Sequence, residues 1–395
     1  MNIIKKIIQA HTENINIKSG DIVDVYPDFI MSHDGDNIYN ILSFNNDFKA
    51  KKVFNRHKIV IGIDHNVPSD SLNTAKTHSK MREFACRQLI EQFHDNEGVM
   101  HQIMIENYIK PYQLIFAADS HAGSYGGCGA LGIPIGTLDN AYLWAEGKTW
   151  LEVPQIVKIK IEGKLPLGFY AKDIVLSIIH NIETAELQGK IAVFIGETVR
   201  DLSESSRIVI CNMIIEGGAY SAIVDVQADI NDGYDYLIEV DFLKPEISCP
   251  HSPRNVKNIE EIGGIKVTQI FLGSCTNGRS EDFAIAASII KRHKVAKSVR
   301  FYICPASQKQ LMLALEKGYI QILLKAGAIL LSPGCSMCFG SCQGIMDDNE
   351  TLFSTGNRNY QGRVGSRESK IYLGSPATAA ATAITGKIED CRAFL

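Results

Sequence analysis

The chain has 395 residues, 45% of them hydrophobic and 21% charged, a composition that excludes a disordered or fibrous protein. At roughly 100–200 residues per domain, this length suggests two to three domains with a core that needs no disulfide or metal staple to fold. A net charge of −4 removes the usual electrostatic case for a nucleic-acid binder, and no uncharged apolar run approaches the ~18 residues of a membrane span.

Met1–His11 sets two lysines among isoleucines without an apolar h-region, so it reads as an amphipathic first helix and not as a signal peptide. A cytoplasmic protein is expected. The run Ile59–Ile63 reads as a buried strand ending at Asp64-His65. Thr74–His94 reads as one long helix, with Met81, Phe84, Ala85, Leu89 and Phe93 near helical spacing. Leu114–Ala118 reads as a strand ending at Asp119-Ser120-His121. Val157–Ile161 alternates as a half-buried strand would, and Ile191–Ile195, Ile208–Cys211 and Val267–Leu272 are further strand candidates. Short apolar runs alternating with helix-like segments predict an α/β protein. Boundaries near Glu152–Pro154 and Ile262–Gly264 give units 1–150, 151–263 and 264–395. Polar clusters recur just past strand ends, where open α/β sheets build their sites.

Ten cysteines without an export signal point to thiols, a metal or a cluster before disulfides. Only Cys335, Cys338 and Cys342 crowd together. Pro333–Gly340 puts a C-x2-C pair on a Gly-rich loop, and Cys275, in Gly273–Arg279, can bring a third thiolate. A structural zinc site would want four ligands, with Cys342 or a histidine completing it. A redox [4Fe–4S] cluster would also want four, and Cys342 lies at a reachable spacing. A catalytic cluster would want three and leave one iron open as a Lewis acid. Plain reduced thiols are the remaining reading.

The second signal is His65, His101 and His121 with Asp64, Asp119 and Glu216. Carboxylates fix the tautomer of an imidazole and raise its basicity, which suits proton transfer near neutral pH. Each histidine alone reads more readily as a hydrogen-bonded core or surface group. Several such groups at strand ends mark a site. The third signal is Ser354–Arg363, where Arg358 and Arg363 could clamp carboxylates or form a solvated basic turn.

In order along the chain, GSCTNGR, PGCSMC and NRNYQGR make a specific set, and the chain resembles the aconitase superfamily nearly end to end. It is most similar to large, catalytic subunits of the isopropylmalate isomerase and homoaconitase type. The resemblance implies three α/β/α domains packed around a [4Fe–4S] cluster, with Cys275, Cys335 and Cys338 as its ligands. Asp64 and His65 match the pair whose histidine protonates a departing hydroxyl. His101 with Asp119, and His121 with Glu216, match supporting pairs. Ser120, Asn212, Arg358 and Arg363 match residues beside the substrate or cluster. Nothing in the sequence matches the swivel domain that holds the serine base, so a separate small subunit is implied and the chain alone should turn over weakly. The implied reaction is dehydration and rehydration of a hydroxy di- or tricarboxylic acid, with 3-isopropylmalate the default and homocitrate-, methylmalate- or citrate-like acids the alternatives. A redox, zinc or regulatory protein is the competing class, and the charge balance opposes an RNA-binding one. Ala118, Ala122, Gly35, Asp36 and Cys128 depart from the usual pattern, and Cys342 is an extra thiol near the loop.

Overall fold

The computed structural model describes residues 2–35, 37–229, 232–340 and 343–395. Asp36 and Cys342 fall outside the described residues. Three sheets and a two-stranded ribbon organise the rest. The first sheet orders Phe93–Asp95, Ile59–Ile63, Phe29–His33, Leu114–Ala117 and Leu131–Pro134, all parallel. Every residue of Ile59–Ile63 is buried, as expected of a parallel strand covered on both faces. The helix Ile3–Ala10 buries Ile3, Ile4, Ile7 and Ile8 in the same core, so the amphipathic reading of the N-terminus holds.

The second sheet orders Ser221–Val224, Ile191–Ile195, Ile156–Glu162 and Tyr236–Glu239, again all parallel. Ile156–Glu162 alternates buried and half-buried positions along its length. The third sheet is mixed. Lys370–Leu373, Thr351–Ser354, Gln269–Leu272, Arg300–Ile303 and Ile329–Leu330 run parallel, and Glu246–Ser248 and Val256–Asn258 add antiparallel pairs at one edge. Ile22–Val25 pairs antiparallel with Thr149–Glu152 in the ribbon. Among the described residues, no helix is long and apolar enough to cross a membrane.

Two elements differ from their expected form. Ile208–Cys211 is not a strand but the middle of the helix Glu204–Met213. Ser203 caps that helix by accepting from the Ser206 amide, and its run Ile208–Met213 is buried throughout. An apolar run covered on all sides carries no period, so strand and helix look alike in sequence. The expected helix Thr74–His94 runs instead from Leu72 to Gln88. Leu89 ends it at φ 57°, in the left-handed region, and Phe93 and His94 belong to a strand.

Candidate active site

The site is built at the ends of strands from the first and third sheets. Ile59–Ile63 delivers Asp64 and His65, and their turn is held by Asp34, which follows Phe29–His33. Asp34 Oδ1 accepts the amides of Asp64 (3.0 Å) and His65 (2.9 Å), and Oδ2 accepts the Asn66 amide (3.0 Å) and His78 Nε2 (3.1 Å). Burial opposes the charge, but these donors and the nearby His65 hold the Asp34 carboxyl well below the usual range. His65 Nδ1 donates to Asp64 Oδ1 at 2.6 Å, while Asp64 Oδ2 accepts the Met100 amide at 2.8 Å. That arrangement assigns proton exchange with a bound molecule to the Nε2 side of the ring. His65 also stacks on His33, with ring centroids 4.1 Å apart.

Leu114–Ala117 delivers Asp119, Ser120 and His121. Asp119 Oδ1 accepts His101 Nε2 (2.8 Å) and the His121 amide (2.7 Å), and Oδ2 lies 3.3 Å from His33 Nε2. Burial again opposes the charge, and the three histidines around it push the Asp119 carboxyl far down. His121 Nε2 meets Glu216 Oε1 at 2.8 Å. The same oxygen accepts Arg358 Nε at 2.8 Å, and Arg358 donates on to Ser120 Oγ at 2.8 Å. Burial lowers the proton affinity of His121, but Asp119 and Glu216 outweigh it and raise its pKa. Burial raises that of Glu216, and His121 and Arg358 outweigh it in the other direction. His101 and Glu216 do not follow strands as expected. His101 sits in the helix Met100–Asn107, and Glu216 in the turn Ile214–Gly217 that continues the helix Glu204–Met213.

The thiols come from the third sheet's side. Gln269–Leu272 leads into the single turn Ser274–Asn277 that holds Cys275, and Cys335 precedes the turn Ser336–Cys338, which Cys338 ends. Ser274 and Ser336, each beside a thiol, sit at φ 76° and 50°, a conformation that surrounding structure must hold in place. Part of that support is Arg279, buried, which donates to the carbonyls of Cys275 (2.7 Å) and Thr276 (2.8 Å). Gly334 brings the second thiol loop against the first sheet. The Cys335 amide donates to the Asp64 carbonyl at 2.7 Å, and a Cβ on Gly334 would lie 2.8 Å from that oxygen. Asn357 joins two of the thiols, accepting from Cys338 Sγ (3.3 Å) and donating to Cys275 Sγ (3.6 Å). Asn212 donates to Cys275 Sγ at 3.2 Å.

All three thiols line one cavity of about 310 Å³ together with Asp64, His65, His101, Asp119, Ser120, His121, Arg358 and Arg363. Of the residues expected at the site, Asn212 and Glu216 do not line it. They stand behind it, on Cys275 and on His121 and Arg358 respectively. Arg363 donates to the Cys338 carbonyl at 2.8 Å and lies over the Phe339 ring. A larger groove of about 700 Å³ beside Trp150 and Tyr220 has no cysteine or histidine in its lining.

His33, Asp34, His78 and Asn357 were not among the expected site residues. His33 and Asp34 had one available signal: they end an apolar run, as Asp64 does. The departure at Gly35 has a physical reason, since a Cβ there would meet the His33 ring at 2.9 Å. His33 Nδ1 accepts the Gly35 amide at 3.1 Å.

The donor set suits a thiolate-bound cluster. Burial, and after it the charge of neighbouring Cys338, pushes the Cys275 thiol up to about 12 and Cys335 well above its ordinary value. A bound cation would offset that penalty and favour the thiolates of Cys275 and Cys335. Among the described residues, Cys275, Cys335 and Cys338 are the cysteines that line the cavity.

The aconitase family model (aconitate hydratase) matches residues 5–239 and 243–386. This chain belongs to the aconitase family. It is a hydro-lyase by that membership and by its relatives. It is 38% identical over 419 residues to a probable 3-isopropylmalate dehydratase large subunit of Methanosarcina mazei, covering 99% of this chain and 100% of that one. It is also 38% identical to a probable methanogen homoaconitase large subunit of the same organism, over 92% of this chain and 98% of that one. The holo-form of Thermococcus kodakaraensis aconitase X is similar in fold, with a TM-score of 0.52 at 11% identity over 85% of this chain and 84% of that one.

Proposed function

We propose that this aconitase-family chain is the large subunit of a two-subunit, [4Fe–4S]-dependent hydro-lyase that isomerises a malate-type hydroxy acid, with 3-isopropylmalate as the first substrate to test. The observation that carries the reading is the single cavity where three buried thiols face histidine–carboxylate pairs and two arginines. Cys275, Cys335 and Cys338 would hold the cluster, which when bound supplies Lewis acidity toward the substrate's oxygens. Arg358, oriented by Glu216 and Ser120, and Arg363, fixed on the Cys338 carbonyl, hold substrate carboxylates. Their charge stabilises the negative charge that builds on a carboxylate as the neighbouring carbon loses its proton. His65 delivers a proton to the departing hydroxyl from Nε2, with Asp64 holding the ring at Nδ1. Adding the water back at the neighbouring carbon gives the isomer. The small subunit supplies the carbon base and reads the substrate's side chain.

A homoaconitase-like reading is the second, because a relative so named has the same 38% identity to the chain. The deciding experiment is anaerobic reconstitution of the chain with a candidate small subunit, followed by EPR of the reduced cluster. Titration with isopropylmalate, homocitrate, citrate and methylmalate then assigns the substrate. A cubane signal that changes with one acid supports the reading and names the acid. Bound zinc without iron would overturn it.

A further inference from the structure

One buried charge beside the cavity has no part in the scheme above. Lys172 lies in the first turn of the helix Ala171–Asn181 and is 1% exposed. Its Nζ donates to the carbonyls of Thr355 (3.0 Å) and Gly356 (2.6 Å). A buried ammonium is costly, and two neutral carbonyls answer it only in part. The apolar stem alone could be replaced by methionine, so packing does not explain a lysine here.

What surrounds those carbonyls does. They immediately precede Asn357, the side chain that joins Cys338 to Cys275. A Cβ on Gly356 would lie 3.5 Å from Cys338 Sγ, so this turn runs against the thiol itself. Burial lowers the Lys172 pKa to about 8, and Cys338 and Cys275 are the foremost groups that hold it up, ahead of Asp282 and Glu216. The ammonium therefore remains protonated near neutral pH and faces the thiols across one turn of backbone.

We propose that Lys172 is a positioning residue that fixes the Thr355–Gly356 turn against the three thiols and supplies the positive charge that offsets a thiolate-bound cluster. This rests on the cluster reading given above. A purely structural clamp would lower stability on removal but leave the electronic state of the cluster alone. Loss of a nearby cation instead disfavours the added electron of the reduced cluster.

The test is an EPR-monitored redox titration of the anaerobically reconstituted chain as wild type, Lys172→Met and Lys172→Arg. In the methionine variant the reduced-to-oxidised ratio at fixed applied potential is expected to fall about tenfold, or ~59 mV for a one-electron couple. In the arginine variant, which keeps the charge, the ratio is expected to stay at the wild-type value. An unchanged ratio in the methionine variant overturns the charge role. If that variant does not fold, the arginine variant decides: a wild-type ratio supports the proposal and a tenfold fall overturns it. Absence of a cubane signal in the wild-type chain overturns the cluster reading itself, and this inference with it.

Discussion

His65 is the residue on which the proposed chemistry turns, because Asp64 holds its Nδ1 and Asp34 holds the turn beneath both. General acid catalysis by a positioned side chain contributes about 10²–10⁴-fold. His65→Asn is therefore expected to lower kcat by about that factor while iron content and KM change little. Steady-state kinetics with iron analysis check it, and wild-type turnover would remove His65 from proton transfer. The His121–Glu216 pair makes a separate prediction for the apo-protein. Glu216 has a lowered pKa, so its stabilisation is present above the ordinary carboxylate value of 4.5 and is lost as pH falls through the lower folded value. His121 has a raised pKa, so its stabilisation is full below 6.5 and is lost as pH rises through the higher folded value. The pair's contribution to the thermal stability of the apo-chain should accordingly be full between pH 4.5 and 6.5 and decline on both sides. In Glu216→Gln the acid-side decline should shrink.

At the level of elements, the site depends on how closely the thiol loop approaches the first sheet. Gly334 sits at φ 155° with the Asp64 carbonyl where its side chain would be. Gly334→Ala is expected to cost about 1–3 kcal/mol, a typical price for forced backbone strain. It should also weaken cluster uptake, because the Cys335–Asp64 bond that docks the loop would have to move. Thermal melting and iron stoichiometry after reconstitution measure both effects, and full iron loading would show that the loop can re-seat. Strands such as Ile59–Ile63 and Ile191–Ile195 were legible because a short apolar run ending in polar residues has few other solutions. Ile208–Cys211 was not, since the distinguishing feature was the Ser203 cap and not the run itself. Lys172 was missed for a related reason: a lysine early in a helix reads as a solvent-facing charge until the third sheet closes over it. His33 and Asp34 escaped because a histidine and a carboxylate after an apolar run read equally as hydrogen-bonded core groups until Asp64, His65 and Asp119 are brought against them.

For the molecule as a whole, what matters is which atoms of the described cavity stay open to a substrate. Removing a proton from carbon needs a base with an atom open to the substrate, and His101, His121, Asp64 and Asp119 each have both polar side-chain atoms engaged within the protein. His101 and His121 are paired to Asp119 and Glu216, and Asp64 to His65 and the Met100 amide. Ser120 is held by Arg358. On the proposed reading, the described part of the cavity binds carboxylates and protonates a leaving group, and the carbon base comes from a second chain. Isotope exchange separates the two halves of the reaction. In D₂O, the reconstituted chain alone should incorporate no deuterium at the substrate's C–H position, and adding the small subunit should switch incorporation on together with isomerisation. Mass spectrometry of recovered substrate reads the result. Deuterium incorporation by the chain alone would place the base within it, and Ser120 or one of the paired carboxylates would then have to leave its present partner to act.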